Sequence, residues 1–522
     1  MWIPVCSVTA WETARRTGKG GRLDSDQIDS IGHRAFIMDV LGNIMTNIQE
    51  QVIQAAETAD LLALDSKRVV ELLAEILPEG QLVVDPAQID AIQRRSRQDG
   101  VGEIYAVALP DSVEGVSAVL RLASSLGVPV YTRGEGSGIG GLSAPSQPGI
   151  LLLTTNLKRI VDFDAVSRTI TVQAGVVTAD INRYLEGSGL FYAPDPASAG
   201  FSSIGGNIAT NAGGFHCVKY GTTRQSLLSL KVVLADGSVI DTGRGVAKNV
   251  AGLDLTSLFT GSEGLLGVVV EATLKLLPKP ISTSAAIAFL DDLSEVGEAV
   301  DAVQGVAVQV STFDLMGVPY IQTYPDAYIP AVGDAQWMLV VETDGLASAQ
   351  ERDLVCEALR GTGASVIAPS EDEVASFLEL RTSGRAIPPS DHPRWLVEVD
   401  AAVPLSVAAR YLRDIESEAV NHQSQGVGFS LAAHIGDGNV HAVFLARRRE
   451  EESEPPAVLS EIRHRLLIRA LELGGTITGE HGIGLGLKDY LPLQLGARNL
   501  ELQRAIKHAL DPQGILNPGK WL

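Results

Sequence analysis

A strand-like run, Val128–Tyr131, leads directly into TRGEGSGIGGLSAPSQPG, and a second apolar run, Ile150–Thr154, follows. Gly136, Gly138 and Gly141 satisfy G-x-G-x-x-G, the fingerprint of doubly wound dinucleotide-binding folds. That fingerprint has to open a helix whose N-terminus faces a pyrophosphate. Here Pro145 and Pro148 stand where the helix would run, and proline breaks a helix interior. A Rossmann fold is therefore excluded at this point, and the stretch reads as a free loop. Its five glycines between 134 and 141 leave successive backbone N–H groups unshielded, as an anion nest requires. A flexible glycine linker is the plainer alternative, and the strands on both sides argue against it.

Around this loop the sequence alternates helix and strand. Val69–Leu77 and Asp111–Leu126 read as helices, the second with an acidic first turn that suits the helix dipole. Gln81–Val84, Tyr105–Leu109 and Arg168–Ala174 read as strands, and Val177–Leu185 as a helix. At roughly 100–200 residues per domain, 522 residues make two or three domains. A net charge of −22 argues against a nucleic-acid partner. Cys6, Cys217 and Cys356 form no disulfide framework, which fits a reducing compartment. The N-terminus is apolar first and basic second, the reverse of a secretory signal, so a cytoplasmic protein is expected. Peripheral membrane contact and a homodimer stay open. Residues 1–65 read as an extension with one helix within Ile28–Ala59 and no assigned chemistry.

Two further stretches carry chemistry. Ala193–Ser198 and Ser203–Gly214 are rich in Gly, Ala, Asn, Ser and Thr, with no charge after Asp195. Small residues permit close backbone approach, and their amides and hydroxyls offer neutral hydrogen bonds. This suits a large, flat, polar-edged cofactor; a small-residue helix packed on a sheet is compatible with it. The second stretch is AHIGDGNVH, Ala433–His441, flanked by apolar strand-like runs. Asp-Gly between such runs signals a hairpin, which would bring His434 and His441 together. Two imidazoles at one point are either a metal-ligand pair or a turn with two polar histidines.

Several motifs occur in order: Arg133-Gly134-x-Gly136, Pro194-Asp195-Pro196-Ala197-Ser198, Ile204-Gly205-Gly206-Asn207, Asn211-Ala212-Gly213-Gly214, Lys219-Tyr220-Gly221 and Gly261-Ser262-Glu263-Gly264-x-Leu266-Gly267. Together they resemble vanillyl-alcohol oxidase-type (PCMH-type) FAD flavoproteins. Within these the chain resembles the branch of D-lactate dehydrogenase, the glycolate oxidase catalytic subunit and D-2-hydroxyglutarate dehydrogenase. The resemblance covers about Ser66 to Leu522. It implies an α+β protein: a two-part FAD-binding domain over 66–280, an α+β cap with an antiparallel sheet over 281–462 that binds substrate, and a C-terminal segment, 463–522, that returns to the FAD domain. It implies that Arg133, Gly134, Glu135, Gly136, Ser137 and Gly138 hold the pyrophosphate end. Pro194, Ser198, Gly205, Gly206, Asn207, Thr210, Gly213 and Gly214 would line the rest of the FAD, with Glu263, Gly264 and Val268 near the adenine half and Asn517 in the closing motif Asp511–Lys520. Gly134–Gly141 contains neither histidine nor cysteine, so dissociable, non-covalent FAD is expected. His216 departs from the family, whose members often have arginine after the double glycine.

Gly479-Glu480-His481-Gly482-Ile483-Gly484 resembles the family's GEHGIG motif. The resemblance makes His434, His441 and Glu480 the ligands of a divalent metal, Zn or Mn, and His481 the general base. Oxidation of a D-2-hydroxy acid then passes a hydride to the flavin while the metal helps the alcohol lose its proton. Asp437 is a partner for a ligating imidazole, and Asn439 either bonds substrate or shapes the turn. Arg381 matches the family's carboxylate-binding arginine, with Arg385 beside it. Relatives acting on dicarboxylates have a lysine two residues before the aspartate of the strand ending at Asp400; this chain has Glu398. That favours D-lactate or glycolate over D-2-hydroxyglutarate. The rival activities are a D-2-hydroxyglutarate-type dehydrogenase and a non-redox enzyme like alkyl-dihydroxyacetone-phosphate synthase. The electron acceptor stays open among quinone, an electron-transfer flavoprotein, an iron–sulfur subunit and oxygen.

Overall fold

The structure is a computed structural model and describes residues 66–95, 102–317, 335–370, 373, 392–449 and 452–522. The expected N-terminal helix, Arg381 and Arg385 lie outside the described residues.

The first sheet contains β1 (Leu82–Val83), β2 (Ile104–Ala108), β3 (Val130–Arg133) and β4 (Gly149–Leu153), in the order β1-β2-β4-β3. β4 runs parallel to β2 and β3, and all five of its residues are buried. Such an unbroken apolar run is what a parallel strand covered on both faces requires. Helix Val113–Leu126 crosses between β2 and β3. Ser112 caps it by accepting from the Gly115 N–H, and Gly127 ends it at φ 64°. The expected start at Asp111 moves two residues because the cap is Ser112. Between β3 and β4 the glycine loop forms no helix, as the prolines require.

The second sheet is antiparallel: β5 (Ile160–Asp164), β6 (Thr169–Gln173), β8 (Leu227–Val233), β9 (Val239–Asp241) and β10 (Val268–Lys275), in the order β5-β6-β10-β8-β9. A short pair, β7 (Leu190–Phe191) with β11 (Leu277–Pro278), stands beside it. Helix Ile204–Thr210 packs on β10. Its small residues allow that closeness: a Cβ on Gly205 would lie 2.7 Å from the Ala174 Cβ. The packed-helix reading of Ser203–Gly214 holds over Ile204–Thr210.

The third sheet has seven antiparallel strands: β12 (Thr283–Leu290), β13 (Thr312–Gly317), β14 (Trp337–Asp344), β15 (Ser365–Ile367), β16 (Arg394–Ala402), β17 (Val427–His434) and β18 (Asn439–Arg447), in the order β15-β12-β14-β13-β17-β18-β16. Helices Glu295–Gln304, Ser348–Gly361, Leu405–His422 and Ala457–Glu472 bury Val300, Leu359, Tyr411 and Leu466 with Leu315, Ala433 and Val440 of the sheet. This apolar layer leaves the other face of β13, β17 and β18 for chemistry. After helix Ala497–Leu510 the chain runs back beside β3, where Val130 donates to the Ile515 carbonyl (2.8 Å) and accepts from Asn517 (2.9 Å). Among the described residues no helix is long and apolar enough to cross a membrane.

Candidate functional site

The β17–β18 hairpin turns through Ile435-Gly436-Asp437-Gly438. Gly438 has φ 80°, and a Cβ there would overlap the Val403 carbonyl oxygen, so the turn needs glycine. Ala432 pairs with His441, and His434 pairs with Asn439. The two histidines thus share one face on a diagonal, with ring centroids 5.4 Å apart. Glu480 enters from the C-terminal segment, its Oε1 3.3 Å from His441 Nε2. Ligand atoms of His434, His441 and Glu480 all lie within 4.8 Å of one another. The same holds for Glu398, His441 and His481. The hairpin does bring the imidazoles together, and the GEHGIG loop does meet them.

Two aspartates to which the sequence assigned no part in the cluster hold it. Asp314 of β13 places Oδ1 2.9 Å from His434 Nδ1, leaving Nε2 for the cluster. Asp400 of β16 accepts at one oxygen, Oδ2, from Thr478 Oγ1 (2.8 Å) and from the N–H groups of Gly479 (3.1 Å), Glu480 (3.0 Å) and His481 (2.9 Å). Its Oδ1 stands 3.7 Å from His441 Nδ1. His481 Nδ1 lies 3.6 Å from Glu398 Oε1 and 3.5 Å from Asp400 Oδ2, and its Nε2 lies 3.8 Å from Glu480 Oε1. Asn439 Nδ2 is 3.3 Å from His441 Nε2, and a Cβ on Gly479 would overlap its amide oxygen. Its amide is wedged between hairpin and loop, and its buried Oδ1 meets no hydrogen-bond partner among the described residues. Asp437, expected beside an imidazole, accepts from the Asn439 N–H at 3.4 Å within the turn.

Electrostatics suit a cation. Burial opposes charge on His441, but the bond to Glu480 and the fields of Glu480 and Asp400 outweigh it and hold its pKa at about 9. Burial would raise Glu480, yet His441, His434 and His481 bring it down to about 2. His434 is also raised: burial opposes, and Asp314 prevails. A field that retains protons on buried imidazoles also favours a dication, which displaces them on binding. The donor set of two imidazoles and a carboxylate fits Zn or Mn.

A long cavity ends at this cluster. It is lined by Thr132–Ile139, Pro196–Ser198, residues between Ser203 and Gly213, Ser262–Gly264, Gly267–Val269, Glu480 and His481. Of the expected cofactor residues, Arg133, Gly134, Glu135, Gly136, Ser137, Gly138, Ser198, Gly205, Gly206, Asn207, Thr210, Gly213, Glu263, Gly264 and Val268 line it. Pro194, Gly214 and Asn517 do not. Pro194 is buried in the turn, and a Cβ on Gly214 would lie 2.6 Å from the Asp195 backbone, so both pack that turn. Asn517 sits behind the wall, accepting from the Thr132 N–H (3.0 Å) and donating to the Glu263 carbonyl (2.7 Å). The Glu263 carboxylate is itself committed to the N–H groups of Ile483 (2.6 Å) and Gly484 (3.0 Å) and to Trp521 Nε1 (2.9 Å).

The cavity fits a phosphate-bearing, hydroxylated cofactor. Buried Thr132 Oγ1 and Arg133 Nη2 meet no hydrogen-bond partner among the described residues, although Arg133 Nε donates to Ser143 Oγ (3.0 Å). Buried polar atoms without partners are costly unless a ligand completes them. Glycine at 213 matters at the other end, where a Cβ would overlap Glu480 Oε2. The cofactor wall and the histidine cluster therefore touch.

Comparison with known proteins agrees with this fold. The description "FAD linked oxidases, C-terminal domain" matches residues 279–521, and "FAD binding domain" matches 104–243. The glycolate oxidase subunit GlcD of Bacillus subtilis is 37% identical over 80% of this chain and 88% of its own length. A D-2-hydroxyglutarate dehydrogenase of Xanthomonas citri pv. viticola is 32% identical over 86% and 95%. A probable mitochondrial D-lactate dehydrogenase of Danio rerio is 31% identical over 80% and 84%. In fold, substrate-bound p-cresol methylhydroxylase superposes with a TM-score of 0.70 at 16% identity, over 87% of this chain and 96% of that one. The chain belongs to the FAD-linked oxidase family and has its PCMH-type fold.

Proposed function

We propose that the chain oxidises a monocarboxylic D-2-hydroxy acid, with D-lactate and glycolate the simplest members, to the 2-oxo acid. The reading rests on one observation: the His434–His441–Glu480 cluster stands at the end of the FAD-type cavity, in contact across Gly213. Residues 66–280 would hold a non-covalent FAD, 281–462 the substrate, and 463–522 would close the site. FAD, when bound, supplies the two-electron sink for the hydride leaving the substrate carbon. A divalent cation on His434, His441 and Glu480 supplies a Lewis acid that lowers the alcohol's pKa. His481 takes the hydroxyl proton at Nε2. Glu398 and Asp400 face its Nδ1 and fix the tautomer that leaves Nε2 to accept. Asn439 borders the cluster, its Nδ2 3.3 Å from His441 Nε2. Arg381 and Arg385 are assigned to the substrate carboxylate on sequence grounds. Glu398 in the pocket wall disfavours a second carboxylate.

Anaerobic mixing of the flavin-loaded protein with glycolate, D-lactate and D-2-hydroxyglutarate tests the reaction. One monocarboxylate should bleach the flavin; a fully loaded flavin left oxidised by every D-2-hydroxy acid refutes the reading. Metal analysis before and after chelation tests the cation. Chelation should remove close to one divalent ion per chain and lower the rate of flavin reduction by roughly 100-fold or more, the scale of one lost electrostatic stabiliser. Full activity in metal-free protein removes the metal from the mechanism.

A further inference from the structure

The histidine cluster opens into a pocket that glycolate and D-lactate do not fill. The cap sheet presents it in rows. At the level of the cluster, Met316, Ala432, His441 and Asp400 pair in succession across β13, β17, β18 and β16. One step along the strands the paired row is Ser430, Val443 and Glu398. Strand alternation puts both rows on the same face, where Met316, Ala432 and Val443 form an aliphatic patch beside His441, bordered by Ser430 and Glu398. Phe215, from the loop after the double glycine, lines the same pocket, its ring centroid 5.7 Å from that of His434. The cavity these residues share with His434, His441 and Glu480 has a volume of about 190 Å³. A dry cavity of about 150 Å³ is already large enough for benzene.

We infer that the site is built for D-2-hydroxy acids with an aliphatic side chain longer than methyl, seated on Met316, Ala432 and Val443 in the pocket that Phe215 lines. This rests on the hydroxy-acid reading above and specifies its substrate class. With the alcohol at His434, His441 and Glu480, a side chain directed along the second row meets Val443. A longer one reaches Glu398 at the row's end. An apolar chain gains from leaving water at each carbon placed on this patch. A terminal carboxylate at the same depth meets Glu398 and loses. The small side chain of Ala432 sets the depth of the pocket beside His441, and Val443 sets its reach.

The test is flavin reduction by the flavin- and metal-loaded full chain, followed anaerobically. The substrates are glycolate, D-lactate, D-2-hydroxybutyrate, D-2-hydroxyvalerate, D-2-hydroxyisocaproate and D-2-hydroxyglutarate. kcat/KM should rise along the monocarboxylates, with D-2-hydroxyvalerate or D-2-hydroxyisocaproate roughly tenfold or more above D-lactate, the scale of added methylenes in an apolar pocket. D-2-hydroxyglutarate should fall at least tenfold below D-2-hydroxyvalerate, its counterpart without the second carboxylate. Val443→Phe, with flavin absorbance and metal content equal to the parent, should lower the ratio of long-chain to D-lactate efficiency by roughly tenfold. An efficiency that is flat or falls beyond D-lactate overturns the inference. So does D-2-hydroxyglutarate matching D-2-hydroxyvalerate, or a loaded Val443→Phe with an unchanged ratio. The wild-type series stands alone if the variant does not fold. A flavin left oxidised by all six acids, D-lactate and glycolate included, refutes the hydroxy-acid reading itself, and this inference with it.

Discussion

Asp400 makes more of the site than any residue that touches it. Its Oδ2 gathers four hydrogen bonds from Thr478, Gly479, Glu480 and His481, so one buried oxygen fixes the backbone of the loop carrying a ligand and the base. Burial alone would raise its pKa, but His481 and His441 hold it below the usual carboxylate value, so it stays an anion. In Asp400→Asn one oxygen is kept but its charge is lost, and the amide N–H₂ turns toward His441. Outer partners of this kind are worth roughly 10–100-fold in metal affinity. Chelator competition on Asp400→Asn should show a loss of that size, with flavin absorbance retained; unchanged affinity would make the aspartate a bystander. The residue was not legible in the sequence because its partners lie 78 to 81 positions away and leave no local pattern. Asp314 escaped for the same reason. His434 and His441 were legible because a hairpin spacing is local. Glu480 and His481 became legible through motif resemblance alone.

Among the elements, helix Val113–Leu126 and the alternating strand β6 follow patterns carried within their own residues, so sequence periodicity found them. β13 did not: all six of its residues are buried, yet Thr312 and Asp314 break the apolar run. A strand covered on both faces has no alternation to read, and this one brings in the aspartate behind His434. The β17–β18 turn was legible as Asp-Gly, but its four-residue form was not, since that depends on Gly438 lying against Val403. Gly438→Ala adds a Cβ both to a left-handed residue and to an occupied space. We expect a loss of about 2 kcal/mol or more, read as a fall in denaturation midpoint, because strain and overlap add. The turn also sets the diagonal between the imidazoles, so bound metal per folded chain should fall in the same variant. A stability loss with full metal content would uncouple the turn from the site.

At the scale of the whole molecule, the FAD-binding part and the cap are joined by charged contacts as well as by chain. Lys219 and Tyr220 both bond the Asp344 carboxylate at the end of β14. His216, the residue that departs from the family's arginine, stands between the two parts. Its Nδ1 lies 2.6 Å from Asp195 Oδ2 and its Nε2 3.4 Å from Glu342 Oε2, a fully buried carboxylate on β14. The Tyr220 ring stands 6.4 Å from it. The sequence showed the departure but not its meaning, because Glu342 comes from a different sheet. A protonated imidazole with both nitrogens donating bridges the two carboxylates. Burial opposes that proton, but the bonds to Asp195 and Glu342 prevail and raise the pKa from 6.5 to about 10. A pKa raised in the folded state stabilises the fold fully below the unfolded value. The contribution therefore declines from about pH 6.5 and is gone above about pH 10. At its fullest it is on the order of 2–4 kcal/mol, taken below the full shift because the pair retains some solvent. His216→Gln keeps a donor but cannot hold the proton. Its denaturation midpoint should lie well below that of the parent at pH 6, and the gap should shrink steadily as the pH is raised toward 10. A gap that stays constant with pH would mean that His216 joins the two parts by shape alone, without its charge.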